Sequence, residues 1–256
     1  MPRFSANLSF LFLDRPFLDR FSAAAACGFS GVEFHFPYDF PMDEVTDAAR
    51  RAGVEVVLFN FPAGNWAAGE RGIACLPERV AEFRLGVDKA AGWAEALGCP
   101  RINCLAGLRP VGIAEAVLRD TLIGNLRFAA DSLKPAGRQV LLEPLNSRDT
   151  PGFLVDRSAS ALAILDEADR SNLLLQYDIF HAQVMEGELA LTLTRHLPRI
   201  GHVQFADNPG RHQPGTGEIN FAFLFRHLNA IGYPGWVGAE YAPTGLTEAS
   251  LEWMGR

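Results

Sequence analysis

Four stretches of the sequence end an apolar run with a carboxylate or an amide: Leu141-Leu142-Glu143, Gln176-Tyr177-Asp178, His202-Val203-Gln204 and Gly238-Ala239-Glu240. A carboxylate so placed is costly to bury unless it is paired, hydrogen-bonded or bound to a cation. Taken singly, each of Glu143, Asp178 and Glu240 also reads as the partner of a rim arginine. Gathered in one place the three repel one another, and a divalent ion is the natural compensation. With the amide oxygen of Gln204 as a fourth ligand, this oxygen-rich set suits Mg2+ or Mn2+ better than a zinc site built on histidine and cysteine. Gln204 by itself equally reads as an inward-facing glutamine that satisfies its neighbours.

Other polar groups cluster around the same runs. His181, three residues past Asp178, either reaches a bound substrate or caps a helix at the rim. Asn7 and His35 end the first two apolar runs and line the same mouth. By period-two alternation His202 shares the face of Gln204 one layer deeper, as a hydrogen-bonded interior histidine. Two arginines are rivals for holding a substrate carboxylate bidentately. Arg211 sits in the turn-rich loop 207–220. Arg71 sits in 62–72, where glycines beside Trp66 suit a mobile loop over the mouth.

The frame that must bring these groups together is legible as alternation. Apolar runs rich in β-branched and aromatic residues occur at 4–9, 31–36, 55–61, 101–106, 139–145, 173–179, 202–206 and 236–241. Amphipathic stretches predict helices at 16–27, 43–51, 77–97, 113–133, 157–169, 188–197, 221–231 and 247–253, with Asp156 and Asn220 as N-caps. Eight βα units fit a closed (β/α)8 TIM barrel, a single domain spanning 1–256, whose reacting groups come from the C-terminal strand ends. No glycine-rich phosphate turn follows the first strand, and there is no P-loop or GxSxG elbow.

Composition narrows the function further. The chain has 256 residues, is 48% hydrophobic and carries a formal charge of −7, which works against a nucleic-acid surface. A metal-dependent endonuclease on such a barrel would need extra histidines and a basic rim, and a pure binding protein would have no use for converging carboxylates. No signal peptide and no window approaching a membrane span are expected, so the protein reads as soluble and cytoplasmic. Four separate cysteines read as reduced thiols in or near the core. Of the two lysines, Lys89 falls in a helical stretch and Lys134 precedes Pro135 at a helix end, which disfavours a Schiff-base aldolase.

Taken together, several segments resemble the hydroxypyruvate isomerases of the xylose-isomerase-like barrel superfamily. They are Arg3-Phe4-Ser5-Ala6-Asn7-Leu8-Ser9, Gly31-Val32-Glu33-Phe34 with Phe36-Pro37-Tyr38-Asp39, the 62–76 loop, Gln176-Tyr177-Asp178-Ile179 with His181, Met185-Glu186-Gly187-Glu188-Leu189, the 206–220 loop, and Gly235-Trp236-Val237-Gly238 with Glu240-Tyr241. The resemblance covers nearly the whole chain. It implies that Glu143, Asp178, Gln204 and Glu240 bind the metal and that Glu143 and Glu240 form the proton donor and acceptor pair. It also implies a small-molecule substrate, hydroxypyruvate, and leaves homo-oligomerisation open. Related ketose 3-epimerases carry histidine where this chain has Gln204, which favours the hydroxypyruvate branch. A 2-oxo-tetronate isomerase or a ketose 3-epimerase is the alternative on the same barrel.

Overall fold

Each apolar run becomes a strand, usually shorter than the run itself. The computed structural model describes residues 2–255. Its strands are β1 (Arg3–Asn7), β2 (Gly31–Glu33), β3 (Glu55–Asn60), β4 (Arg101–Cys104), β5 (Gln139–Leu142), β6 (Leu173–Asp178), β7 (Ile200–Phe205) and β8 (Trp236–Ala239). Every strand pairs parallel with the next, and β8 closes on β1, giving a (β/α)8 barrel. The pairing places Asn7 beside Glu33, Asp178 beside Gln204, and Gln204 beside Gly238.

Period-two alternation then sorts side chains into layers. Val57, Leu58, Leu141 and Trp236 form an apolar plug, with Leu174 packed against it. Trp236 fills the space above Gly31, where an added Cβ would lie 2.7 Å from its ring. Above this plug the inward residues are polar and buried: Ser5, Glu33, Asn103, Gln176 and His202. The site lies on that layer.

Among the described residues the helices are α1 (Asp19–Ala26), α2 (Met42–Ala52), α3 (Val80–Leu97), α4 (Glu115–Leu133), α5 (Ser158–Ala168), α6 (Ile179–Met185), α7 (Leu189–His196) and α8 (Phe221–Ala230). In α3 the predicted face is the buried one, with Phe83, Val87, Ala90 and Ala94 inward, and Gly98 ends it at φ 63°. No helix is long and apolar enough to cross a membrane.

Three local expectations are corrected. Strand six stops at Asp178 because its carboxylate accepts the amide of Phe180 at 2.8 Å and starts α6, a helix the periodicity did not show. Asp156 does not cap α5; the carboxylate of Glu186, distant in sequence, takes the Ser158 amide at 2.7 Å. The stretch 247–253 forms two single 3-10 turns, Glu248–Ser250 and Glu252–Met254, too short to propagate as a helix. Asn220 does cap α8, accepting from the Phe223 amide at 3.0 Å.

Candidate active site

Every strand delivers a polar side chain at or just beyond its C-terminal end: Asn7, Glu33, Asn60, Asn103, Glu143, Asp178, Gln204 and Glu240, all buried. Glu143 follows β5 directly and accepts from Asn103 Nδ2 at 2.7 Å through Oε2. Burial, then repulsion from Glu240 and Asp178, drives its carboxyl well above the usual range. Asp178 is raised to about 7 by burial, against the opposing pull of Arg211.

Glu240 follows β8 and has the opposite surroundings. Its Oε1 accepts from Asn7 Nδ2 at 2.8 Å, His35 Nε2 at 3.0 Å and Gln204 Nε2 at 3.3 Å. Its Oε2 accepts from Arg211. Burial alone would raise this carboxyl, but Arg211 and then His35 outweigh it and hold it at about 2. The Arg211 guanidinium also stands 3.6 Å from Asp178 Oδ2 and lies between the rings of Phe10 and Phe180, at 4.8 and 5.2 Å from their centroids. It is the cation already inside the carboxylate cluster.

Ligand-type atoms of Glu143, Asp178 and His181 all lie within 4.8 Å of one another. The hydrogen bonding separates His181 from the other two. Its Nδ1 accepts from the backbone N–H of Asn146 at 3.1 Å, so a neutral ring carries its proton on Nε2. Burial and then Arg211 push its pKa well below the ordinary value and keep the ring neutral. The Nε2–H therefore points into the site as a donor, 3.5 Å from Asp178 Oδ2, rather than as a metal ligand. Asp178 Oδ2 is buried and has no hydrogen-bond partner. An orphaned carboxylate oxygen beside a second carboxylate fits a hard divalent cation.

Gln204 presents nitrogen rather than oxygen to the centre. Its Nε2 donates to Glu33 Oε1 at 2.8 Å, and its Oε1 accepts from Gln176. His202, fully buried, places Nε2 2.8 Å from Glu33 Oε2, the interior role its position predicts. The structure thus brings Glu143, Asp178, His181, Arg211 and Glu240 together, while Gln204 sits at the edge with its oxygen turned aside. Sequence reasoning missed Glu33, Asn60 and Asn103 as parts of this layer. Their signal was available, since each is an inward polar residue at a strand end.

Glu143, His181, Arg211 and Glu240 line a cavity of about 210 Å³, bounded also by Phe10, His35, Asn60, Trp66, Arg71, Leu105 and Thr150. That is smaller than the roughly 300–1,000 Å³ of pockets for drug-sized ligands and suits a molecule of a few carbons. Arg71 stacks on Trp66 at 4.1 Å and donates to the carbonyls of Trp66 and Glu70. It walls the mouth, whereas Arg211 reaches the carboxylates. The loop bearing Trp66 has its own order: Asn65 Oδ1 accepts from the Ala68 amide at 3.1 Å, and the Gly72 amide donates to Ala63 O at 3.0 Å.

A family model described as xylose isomerase-like TIM barrel matches residues 21–256. The chain belongs to this family. Within it, the chain is 51% identical to a hydroxypyruvate isomerase of Escherichia coli over 99% of this chain and 98% of that protein. It is 44% identical to a 2-oxo-tetronate isomerase of Cupriavidus necator over the same shares. A crystal structure described as an AP endonuclease, family 2, from Brucella melitensis superposes with a TM-score of 0.97 at 44% identity, covering 100% of this chain and 98% of that one.

Proposed function

We propose that this chain is an isomerase that interconverts hydroxypyruvate and 2-hydroxy-3-oxopropanoate, with Glu143 and Glu240 as the proton-transferring pair. The observation that carries the reading is the opposed surroundings of two carboxyls in one small cavity: Glu240 accepts from Arg211, His35, Asn7 and Gln204, whereas Glu143 accepts from Asn103 and has no cationic partner of its own among the described residues. Environments that separate two like groups in this way are the usual mark of an acid and a base.

The two substrates differ by a proton moved between C3 and C2 and another moved between their oxygens, through an enediolate. Glu240 takes the carbon-bound proton, and Glu143 on the facing wall returns one to the neighbouring carbon. A carboxylate held near 2 is a poor base, and Arg211 is the main group holding it there. When the substrate's own carboxylate engages Arg211, Glu240 loses that partner and its basicity rises on binding. The Nε2–H of His181 donates to the oxygen where charge develops. Arg71 and Trp66 close the mouth against water.

Glu143, Asp178 and Glu240 would hold a divalent cation, Mg2+ or Mn2+, with Gln204 beside them as the fourth member of the set. Such an ion, when bound, supplies Lewis acidity to the adjacent substrate oxygens. The acidic charge of −7 favours a small molecule over nucleic acid as substrate, and the buried thiols of Cys75, Cys99 and Cys104 accord with a cytoplasmic setting.

The 2-oxo-tetronate isomerases among the relatives make a four-carbon oxo acid the second candidate. A coupled assay for 2-hydroxy-3-oxopropanoate formation, with and without chelator, tests both points. The expected result is turnover of hydroxypyruvate that chelator abolishes and Mn2+ restores. Turnover of only the four-carbon acid would overturn the substrate, and chelator-insensitive turnover the cation.

A further inference from the structure

The proposed reaction leaves a fully buried carboxylate inside the barrel, Glu33 at the end of β2, without a task. Its Oε2 accepts from Ser5 Oγ and His202 Nε2, each at 2.8 Å. Its Oε1 accepts from Gln204 Nε2 at 2.8 Å and Asn7 Nδ2 at 3.3 Å. No lysine or arginine is among these partners. Asn7 and Gln204 are the same two amides that donate to Glu240 Oε1. An amide nitrogen carries two hydrogens, so each can serve one carboxylate with each hydrogen. Glu33 and Glu240 are thereby joined by two parallel amide bridges.

The opposite strand is shaped around this arrangement. A Cβ on Gly238 would lie 2.4 Å from both oxygens of Glu33, so β8 leaves room for the Glu33 carboxylate two residues before it delivers Glu240. Glu33 itself does not line the cavity.

We propose that Glu33 is a positioning residue for Glu240: through the Asn7 and Gln204 amides it fixes which edge of the Glu240 carboxylate faces the substrate. The inference rests on the reading of Glu240 as the proton acceptor. With the Oε1 edge tied by bridges anchored one layer below, the Oε2 edge is the one presented to Arg211 and the cavity. Without the Glu33 acceptors, both amides are released to turn, and Glu240 loses its fixed aim. Partners of this kind, one shell behind the reacting group, are worth about 10- to 100-fold in activity.

The test is steady-state kinetics on hydroxypyruvate with Mn2+ present, together with melting temperatures, for E33Q, G238A, the double variant E33D/G238A, and E240Q. E33Q is expected to lower kcat about 10- to 100-fold while KM stays within about twofold. G238A is expected to do the same in a folded protein, because its methyl group meets the movable end of a side chain rather than backbone. E33D/G238A is expected to recover part of the lost kcat, since the shorter acid leaves space for the methyl group, a coupling that a general packing defect would not show. Wild-type kcat in folded E33Q and G238A overturns the proposal, as does a loss that only follows the folded fraction. Should E33Q fail to fold, G238A and the double variant decide alone. Full turnover in E240Q removes the reading of Glu240 as base and the positioning role with it. An inactive E240Q beside an unaffected E33Q overturns the positioning role only.

Discussion

Glu143 and Glu240 carry the same functional group into one cavity, yet their neighbours drive them apart. Asn103 gives Glu143 a single neutral donor, whereas Glu240 collects Arg211, His35, Asn7 and Gln204. His181 has its role set by one backbone amide: with Nδ1 accepting from Asn146, its other nitrogen must donate. Replacing His181 by alanine is therefore expected to lower kcat on the order of 100-fold, the usual cost of losing one donor to a developing oxyanion, with a smaller change in KM. Steady-state kinetics on hydroxypyruvate would show this. A raised KM at unchanged kcat would mean that His181 only grips the ground state.

At the scale of elements, the β7–α8 loop decides where Arg211 stands. Asp207, fully buried, accepts four backbone amides: Asn208 at 2.9 Å and Ile219 at 3.1 Å on Oδ1, Gly215 at 2.8 Å and Gly217 at 2.9 Å on Oδ2. One carboxylate thus organises the whole loop. The mount is needed because Arg211 sits at φ 57°, a left-handed conformation costly for a non-glycine residue, with its carbonyl held by the Ala242 amide at 2.8 Å. Asp207→Asn keeps the shape but turns an NH2 toward amides that need acceptors. It is expected to cost about 1–3 kcal/mol in stability and to raise KM several-fold through a displaced Arg211. Thermal melts and kinetics would read both, and an unchanged KM would break the link between this loop and substrate grip.

For the whole molecule, the carboxylate cluster makes stability depend on pH and on cation. Asp178 is raised from 3.8 to about 7, so its folded form binds a proton more tightly than the unfolded chain does. Its contribution is complete below about pH 4 and lost as pH rises through 7. Glu143 acts in the same direction. Glu240, lowered from 4.5 to about 2, acts in reverse: its contribution is present above 4.5 and lost as pH falls toward 2. In chelator, the melting temperature is thus expected to fall between about pH 4 and 7, by an amount on the order of a few kcal/mol in stability. Mn2+ should remove most of that slope. Scanning fluorimetry across pH would show it, and a flat profile in chelator would contradict the burial and crowding that raise Asp178 and Glu143.

By itself the sequence determined the barrel and four of the buried polar residues at its strand ends. Apolar runs rich in β-branched and aromatic residues imply strands, period two along each strand says which side chains share a face, and closure of the barrel brings strand ends together. Glu143, Asp178, Gln204 and Glu240 were legible because each is an inward polar residue ending such a run. Tertiary structure alone decided which groups touch. Glu33 looks in sequence like any polar end of a short strand, and only the stagger of β1, β2, β7 and β8 places it under Asn7, Gln204 and Gly238. The same non-local geometry brought Arg211 rather than Arg71 to the carboxylates, put the His181 proton on Nε2, and gave the α5 cap to Glu186 instead of Asp156. Periodicity records which way a side chain faces along its own element. The partner it meets depends on packing between elements far apart in the chain.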